Sequence, residues 1–233
     1  MNSSRILLII PAYNEADNIV RVVDYLKEHF SQFDYVVVND GSKDSTALLC
    51  REHNYNMIDL PVNLGLAGAF QAGMKNAMYQ GYDYAVQYDG DGQHNPDYIP
   101  GMVNKAEQES LDIVIGSRFV TQRKPFSARM IGNRLITCCI KITTGRTVSD
   151  PTSGMRLFNK RIIRKLATTM NFPPEPDTIT FLMRCGAKVS EYQVTMNERT
   201  AGESYLNWTS SIKYMFNICS SILIVQWFRR KEL

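Results

Sequence analysis

Four times in its first 90 residues the chain passes through a short apolar stretch, halts at a polar turn and resumes with helix-forming sequence. The stretches are Ile6 to Ile10, Tyr35 to Val38, Met57 to Leu60 and Tyr84 to Tyr88. A continuous apolar run such as Ile6 to Ile10 belongs to a strand covered on both faces, as in a parallel sheet. After the first turn, Ile19, Val22, Val23, Leu26 and Phe30 recur at the helical period. Helices are also expected from the Asn63 to Ala69 segment through Met78 and over Pro96 to Glu109, with another strand over Asp112 to Ile115. This alternation dictates a doubly wound α/β sheet with right-handed crossovers.

In such sheets ligands sit beyond the carboxyl ends of the strands. The loops after Ile10, Val38, Leu60 and Tyr88 therefore converge on one crevice. From Gly116 onward the rhythm breaks and no further strand–helix units are expected. The chain reads as one continuous domain over residues 1–233, with a first half at 1–117, a second at 118–207 and an amphipathic C-terminal helix at 208–233.

Charge divides along the same line. Residues 1–117 hold 7 Lys and Arg against 16 Asp and Glu, whereas residues 118–165 hold 12 against 1. So many cations in one block raise the question of nucleic acid. The block lacks a nucleic-acid motif and the acidic half would repel a phosphate backbone, so nucleic acid is excluded as a partner. The 5 cysteines form no C-x-x-C pair and their number is odd, which points to a reducing, cytoplasmic setting. Ile6 to Ile10 is too short for a signal peptide, and no stretch reaches the roughly 18 apolar residues of a membrane span.

The densest chemistry lies in Asp89-Gly90-Asp91-Gly92-Gln93-His94. Carboxylate and amide oxygens at the end of a buried strand suit Mg²⁺ or Mn²⁺; a plain acidic turn is the alternative. An EF-hand is excluded because its glycine position holds His94 and its final glutamate position holds Pro100. No G-x-x-x-x-G-K-[ST] loop is present, and Gly65-Leu66-Ala67-Gly68 is not a dinucleotide fingerprint.

The order of these segments resembles the family 2 glycosyltransferases, whose fold is GT-A-type, a Rossmann-like doubly wound mixed sheet. The matching segments are Pro11 to Glu15, Asn39 to Asp44, Asn63 to Gly65, Asp89 to His94 and Gly116 to Arg118. Asp150 to Arg156 and Arg199 to Ser204 are similar to the subgroup containing dolichol-phosphate mannosyltransferase and bacterial polyprenyl-phosphate glycosyltransferases. The resemblance implies a nucleotide-sugar-binding first half and an acceptor-binding second half. Pro11, Tyr13, Glu15, Asp40, Gly41, Asn63, Gly65, Asp89, Gly90, Asp91 and Gln93 would hold the donor, with Asp89, Asp91 and Gln93 on the metal. Asp91, Asp150, Arg156 and Arg199 would carry catalysis, and Arg118, Arg129, Arg156, Arg199 and Ser204 would hold the acceptor phosphate. Arginine suits that work because its planar fork binds phosphate through paired donors.

The implied reaction is an inverting transfer from a nucleoside-diphosphate sugar, uridine favoured over guanosine, to a polyprenyl phosphate. A phosphate acceptor hardly needs a general base, whereas a saccharide hydroxyl would need one, and Asp150, Glu175 and Asp177 are then the candidates. A catalytically silent nucleotide-sugar-binding scaffold is the reading from a different class, and an aspartyl phosphotransferase is the weaker enzymatic one. Trp208 to Phe228 is largely apolar from Tyr214 and ends in Trp227-Phe228-Arg229-Arg230-Lys231. Such an end suits a segment lying in a membrane interface, and a core helix or dimer contact is the alternative. The expected location is the inner face of the cytoplasmic membrane, reached peripherally or through a small membrane-protein partner; a homo-oligomer is also open.

Overall fold

The computed structural model describes residues 4–89, 94–169, 172–196 and 208–228, and the side chains of residues 128, 129 and 208–212 stand outside that description. The first half forms as its pattern dictates. Strand β1 (Ile6–Ala12) leads to α1 (Ile19–His29), β2 (Asp34–Asn39) to α2 (Thr46–Glu52), and β3 (Met57–Asp59) to α3 (Gly65–Tyr79). Next come β4 (Tyr84–Gln87), a 3₁₀ turn at Pro96–Tyr98, α4 (Ile99–Gln108) and β5 (Ile113–Ser117). Beyond it lie α5 (Ala128–Thr144), β6 (Arg156–Asn159), α6 (Lys160–Thr168), α7 (Pro176–Arg184), β7 (Val189–Gln193) and α8 (Trp208–Leu223).

The strands form one seven-stranded sheet in the order β3-β2-β1-β4-β6-β5-β7. All run parallel except β6, which is antiparallel to both β4 and β5. This corrects the expectation that strand–helix units end at Gly116: β6 and α6 form one more, and β6 lies inside the sheet. Its four residues begin with a buried arginine, so no apolar run announces it. Asn159 ends the strand and starts the helix by accepting the amide of Ile162 at 3.1 Å, as N-cap asparagines do.

Alternate strand residues face opposite layers. Leu7, Ile9, Val36, Ile113, Ile115 and Phe158 pack under α3, α5, α6, α7 and α8. Leu8, Ile10, Val37, Val86, Val114 and Leu157 pack against α1, α4 and Cys50 of α2. Arg156, two residues before Phe158, shares the face toward α3 and α5 through α8. The C-terminal segment is not one continuous helix. α8 ends at Leu223, and Val225–Phe228 forms a 3₁₀ turn whose Gln226 is fully buried. Among the described residues no helix is long and apolar enough to cross a membrane.

Candidate active site

Because β1, β2, β3 and β4 run parallel, the loops leaving them open at one end of the sheet. Those loops are tied to each other. The amide of Asn14 donates to Ser42 Oγ at 3.0 Å, and Asn14 Oδ1 accepts the amide of Lys43 at 2.9 Å. The amides of Glu15 and Ala16 donate to Thr46 Oγ1 and Asp44 Oδ2 at 2.9 and 3.1 Å. Asp44 also accepts the Thr46 amide at 3.0 Å, the cap-like role its position before a helix favours. Gly41 sits at φ +62°, and a Cβ there would lie 2.6 Å from the backbone of Val62 and Asn63. Only glycine lets the loop after β2 pass so near the loop after β3.

Several residues expected to hold a donor thus have duties within the protein. Asp40 is 3% exposed, and its Oδ1 accepts the amide of Leu64 at 2.7 Å, joining the β2 loop to the start of α3. Glu15 Oε2 accepts Asn18 Nδ2 at 3.0 Å, and Asn63 Oδ1 accepts the amide of Gly65, which has φ +73°. Tyr13 stands 37% exposed at the rim, following Pro11 at the end of β1.

Two residues beyond β4 the carboxylate of Asp89 meets the buried imidazole of His94, Oδ2 to Nε2 at 3.3 Å. Burial opposes charge on Asp89, but the His94 contact, Gln87 and Arg156 outweigh it and hold the carboxyl below its ordinary range. A Cβ on Gly154 would lie 2.1 Å from Asp89 Oδ2 and 3.0 Å from His94 Nε2, so a side chain there would fill the space against both groups. Asp89 keeps 38% of its side-chain surface open, which leaves oxygen donor capacity. Among the described residues no group of three or more His, Cys, Asp or Glu gathers in one place, and the oxygen that Asp89 keeps open is the kind of donor that Mn²⁺ and Mg²⁺ accept. Gly90, Asp91 and Gln93 lie outside the described residues, as do Arg199, Ser204 and the side chain of Arg129.

The basic block separates into satisfied and unsatisfied arginines. Arg118 donates through Nε and Nη2 to Asp150 at 2.7 and 2.8 Å, and its amide donates to the same carboxylate at 3.2 Å. Asp150 is fully buried and also accepts Asn133 Nδ2 at 3.3 Å. In the structure Asp150 is the counter-ion of Arg118, and the Arg118 fork expected for phosphate is engaged with it. Arg156 differs. It is 1% exposed, its Nη2 donates to the carbonyl of Pro151 at 2.9 Å, and among the described residues its Nε and Nη1 have no partner. Burial pulls its pKa below the ordinary guanidinium range, opposed by Tyr214, Asp89, Glu175 and Asp150.

Gln87 faces Arg156 across the β4–β6 ladder, is 3% exposed and leaves its Oε1 without a partner. Sequence reasoning passed over this glutamine, although it is the one polar residue inside the Tyr84 to Tyr88 run apart from the tyrosine hydroxyls. It also passed over Gly154 and Tyr214. Glu175, at the N-cap of α7, has its pKa raised by burial and by Asp177, with Arg156 acting against them. The result is a cluster of buried polar side chains, Gln87, Arg156 and Glu175, near Asp89, whose donors the described residues do not saturate.

Comparison with known proteins gives this cluster a context. The model of glycosyl transferase family 2 matches residues 7–167, more than half of the chain. An undecaprenyl-phosphate mannosyltransferase of Micrococcus luteus is 27% identical over 96% of each chain. A UDP-N-acetylglucosamine–dolichyl-phosphate N-acetylglucosaminyltransferase of Methanococcus voltae is 33% identical over 72% of this chain and 74% of its own. Among solved structures, a Pyrobaculum calidifontis mannosyltransferase in complex with GDP-Man and Mn²⁺ superposes with a TM-score of 0.67 at 17% identity, over 96% of this chain and 65% of that one. A glucosyl-3-phosphoglycerate synthase of Mycobacterium tuberculosis, with UDP and Mn²⁺, gives 0.64 at 17% identity, over 96% and 80%. The fold is thus that of the GT-A glycosyltransferases it superposes on, and the chain belongs to glycosyltransferase family 2.

Proposed function

We propose that the protein transfers a sugar from a nucleoside-diphosphate sugar to a polyprenyl phosphate at a membrane surface. The observation that carries this reading is Arg156: two guanidinium nitrogens without partners, inside the protein and beside Asp89. Burying an unpaired cation is costly unless an anion completes it, and a phosphate oxygen is such an anion. The names of the Micrococcus and Methanococcus relatives, both with lipid-phosphate acceptors, support the same acceptor class here.

In the reaction an acceptor phosphate oxygen forms a bond to the anomeric carbon while the bond from that carbon to the donor diphosphate breaks. The nucleoside diphosphate departs with the bonding pair. A phosphate monoester with second pKa near ~6 is already largely ionised at neutral pH, so no side chain need take a proton. Arg156 orients the phosphate and offsets its charge, and His94 fixes the Asp89 carboxylate. Asp89, with Asp91 and Gln93, would hold a divalent cation, which supplies Lewis-acid neutralisation of the leaving diphosphate. Arg129, Arg199 and Ser204 would complete the acceptor phosphate site, and Pro11, Tyr13, Glu15, Asp40 and Gly41 the donor's base and ribose. A UDP-sugar is the donor we favour, with GDP-mannose as the second choice. The protein works peripherally, at the inner face of the cytoplasmic membrane.

A saccharide hydroxyl acceptor is the second reading, and Glu175 favours it. A carboxyl whose burial raises its pKa is the better placed proton acceptor beside Arg156 now that Asp150 is paired. The test is release of nucleoside diphosphate from UDP-N-acetylglucosamine, UDP-glucose and GDP-mannose with Mn²⁺ or Mg²⁺, on adding a polyprenyl phosphate or a saccharide. Release stimulated by the lipid phosphate, and lost in Asp91→Ala with the fold intact, is the expected outcome. Binding of nucleotide sugar without release on any acceptor would sink the enzymatic reading in favour of a scaffold.

A further inference from the structure

We propose that Gln87 is a positioning residue that holds the Arg156 fork for the acceptor phosphate, with its contact to Asp89 fixing which way its amide points. The phosphate is taken from the transfer reading above, on which the idea rests; its own support is the register of β4 and β6.

Gln87 and Arg156 are direct partners in the antiparallel β4–β6 ladder. Residues so paired stand on the same face of the sheet with Cβ atoms about 4.5–5.5 Å apart. On the far side of β4 Gln87 pairs with Ile9, and on the far side of β6 Arg156 pairs with Ile115. The row across the sheet is therefore Ile9, Gln87, Arg156, Ile115, an amide and a guanidinium between two aliphatic walls. Helix α3 closes over one wall, since a Cβ on Gly73 would lie 2.3 Å from Ile9 Cγ2. Both polar side chains are buried, so neither can turn to water. Among the described residues Gln87 Oε1 lacks a donor, while Arg156 Nε and Nη1 lack an acceptor. Each residue carries what the other lacks.

The two ends of an amide have nearly the same shape, so its neighbours decide which way it points. Here Asp89 decides, because an ionised carboxylate only accepts. Gln87 Nε2 donates to Asp89 Oδ1 at 3.4 Å, and the other Asp89 oxygen meets His94 Nε2 at 3.3 Å. With the nitrogen committed to Asp89, the oxygen is the end left for β6. Turned over, the amide would set donors against the guanidinium and an oxygen against the carboxylate.

One sense of donation therefore runs through the row, from Arg156 N–H to Gln87 Oε1 and from Gln87 Nε2 to Asp89. The second link is made in the structure. The first is completed when a phosphate draws the fork, and Pro151 keeps its hold on Nη2. Held at two points by the protein, the guanidinium presents its remaining donors to the phosphate in one orientation. Linked hydrogen bonds also polarise one another. Asp89 is the carboxylate that the transfer reading sets on the cation, so one amide joins the donor side of the reaction to the acceptor side.

Two readouts on the full chain test this. The first is calorimetric titration with a short-chain, water-soluble polyprenyl phosphate, without metal or donor. Gln87→Met, close to glutamine in length but without its polar atoms, should weaken binding about tenfold, the scale of one hydrogen bond to a charged group. In turnover with Mn²⁺ and a UDP-sugar, KM for the acceptor should rise by the same factor while kcat stays within about twofold. The second readout is thermal melting without any ligand. Gln87→Glu sets a carboxylate opposite the guanidinium and should raise the melting temperature by roughly 2–4 °C. In the Arg156→Met background the same change should lower it, because that carboxylate is then buried alone. Parent-like phosphate binding by Gln87→Met overturns the proposal. So does a melting shift for Gln87→Glu that is the same in both backgrounds. If the parent binds no lipid phosphate while the melting shift changes sign, the Gln87–Arg156 pair stands and the transfer reading falls.

Discussion

The end of β5 and the neighbouring strand β6 each carry a buried arginine system, and they are closed in opposite ways. At β5, Arg118 meets Asp150 through paired donors, with Asn133 adding to the same carboxylate. At β6, Arg156 has one carbonyl for three nitrogens. The first system is complete without a ligand and holds the loop after β5 to the Asp150 turn. The second leaves Nε and Nη1 without a partner among the described residues. The lesson is that an arginine in a family motif is not thereby a phosphate ligand; its partners inside the fold decide.

Several measurements could break that contrast. The largest effect is expected for Arg156→Met, with turnover falling about 10³-fold as transition-state charge goes unmatched. Arg156→Lys should recover little, because a point charge does not replace a fork. Next, Asp150→Asn should cost about 3 kcal/mol in denaturant unfolding, the lower end of the range for breaking a buried pair because Arg118 keeps some solvent contact. Changing both Arg118 and Asp150 to leucine should return part of that loss. If Asp150→Asn instead leaves stability untouched and abolishes turnover on a saccharide acceptor, Asp150 is the base after all.

Gly154→Ala should raise the Mn²⁺ concentration needed for half-maximal turnover by about tenfold, since its methyl would displace Asp89 and His94. The smallest effect concerns pH. Glu175 has a raised pKa in the folded protein, so its protonated form is favoured by folding. Its contribution is therefore full in acid and is lost as pH rises through the raised value. Glu175→Gln should remove that part of the decline, so thermal melts of variant and parent should diverge from pH 4.5 upward, the variant melting higher. Parallel curves would show that Glu175 is solvated.

The parallel half of the fold was legible because its strands are covered on both faces and its helices on one. Periodicity therefore records each element from β1 to β5. The inserted strand β6 left no such trace, since it is four residues long and opens with Arg156. β7 is an edge strand, and all five of its residues are half-buried. The position of the site was legible for the same reason as the fold: parallel strands put their loops at one end. What each carboxylate does there was not. Asp40 and Asp44 satisfy backbone amides, Asp150 satisfies a guanidinium, and Asp89 faces an imidazole. All four stand at turns after apolar runs or beside proline; the partners of Asp40 and Asp150 lie 24 and 32 residues away and only the fold brings them near, while those of Asp44 and Asp89 lie two and five residues along the chain. In the Trp208 to Phe228 segment one side of α8 is core, as the core-helix alternative has it, and the other is exposed apolar surface.

The central claim is that Arg156 is kept for a ligand at a cost to the fold. Thermal melting of the parent protein and Arg156→Met, with and without a short-chain polyprenyl phosphate in the presence of Mn²⁺, tests it most directly. Without ligand the variant should melt at or above the parent, because an unpaired buried cation has been replaced by an apolar side chain of similar length. With ligand only the parent should gain stability. A variant that melts well below the parent in the absence of ligand would show that Arg156 serves the fold, and the account of the site would have to be rebuilt around other residues.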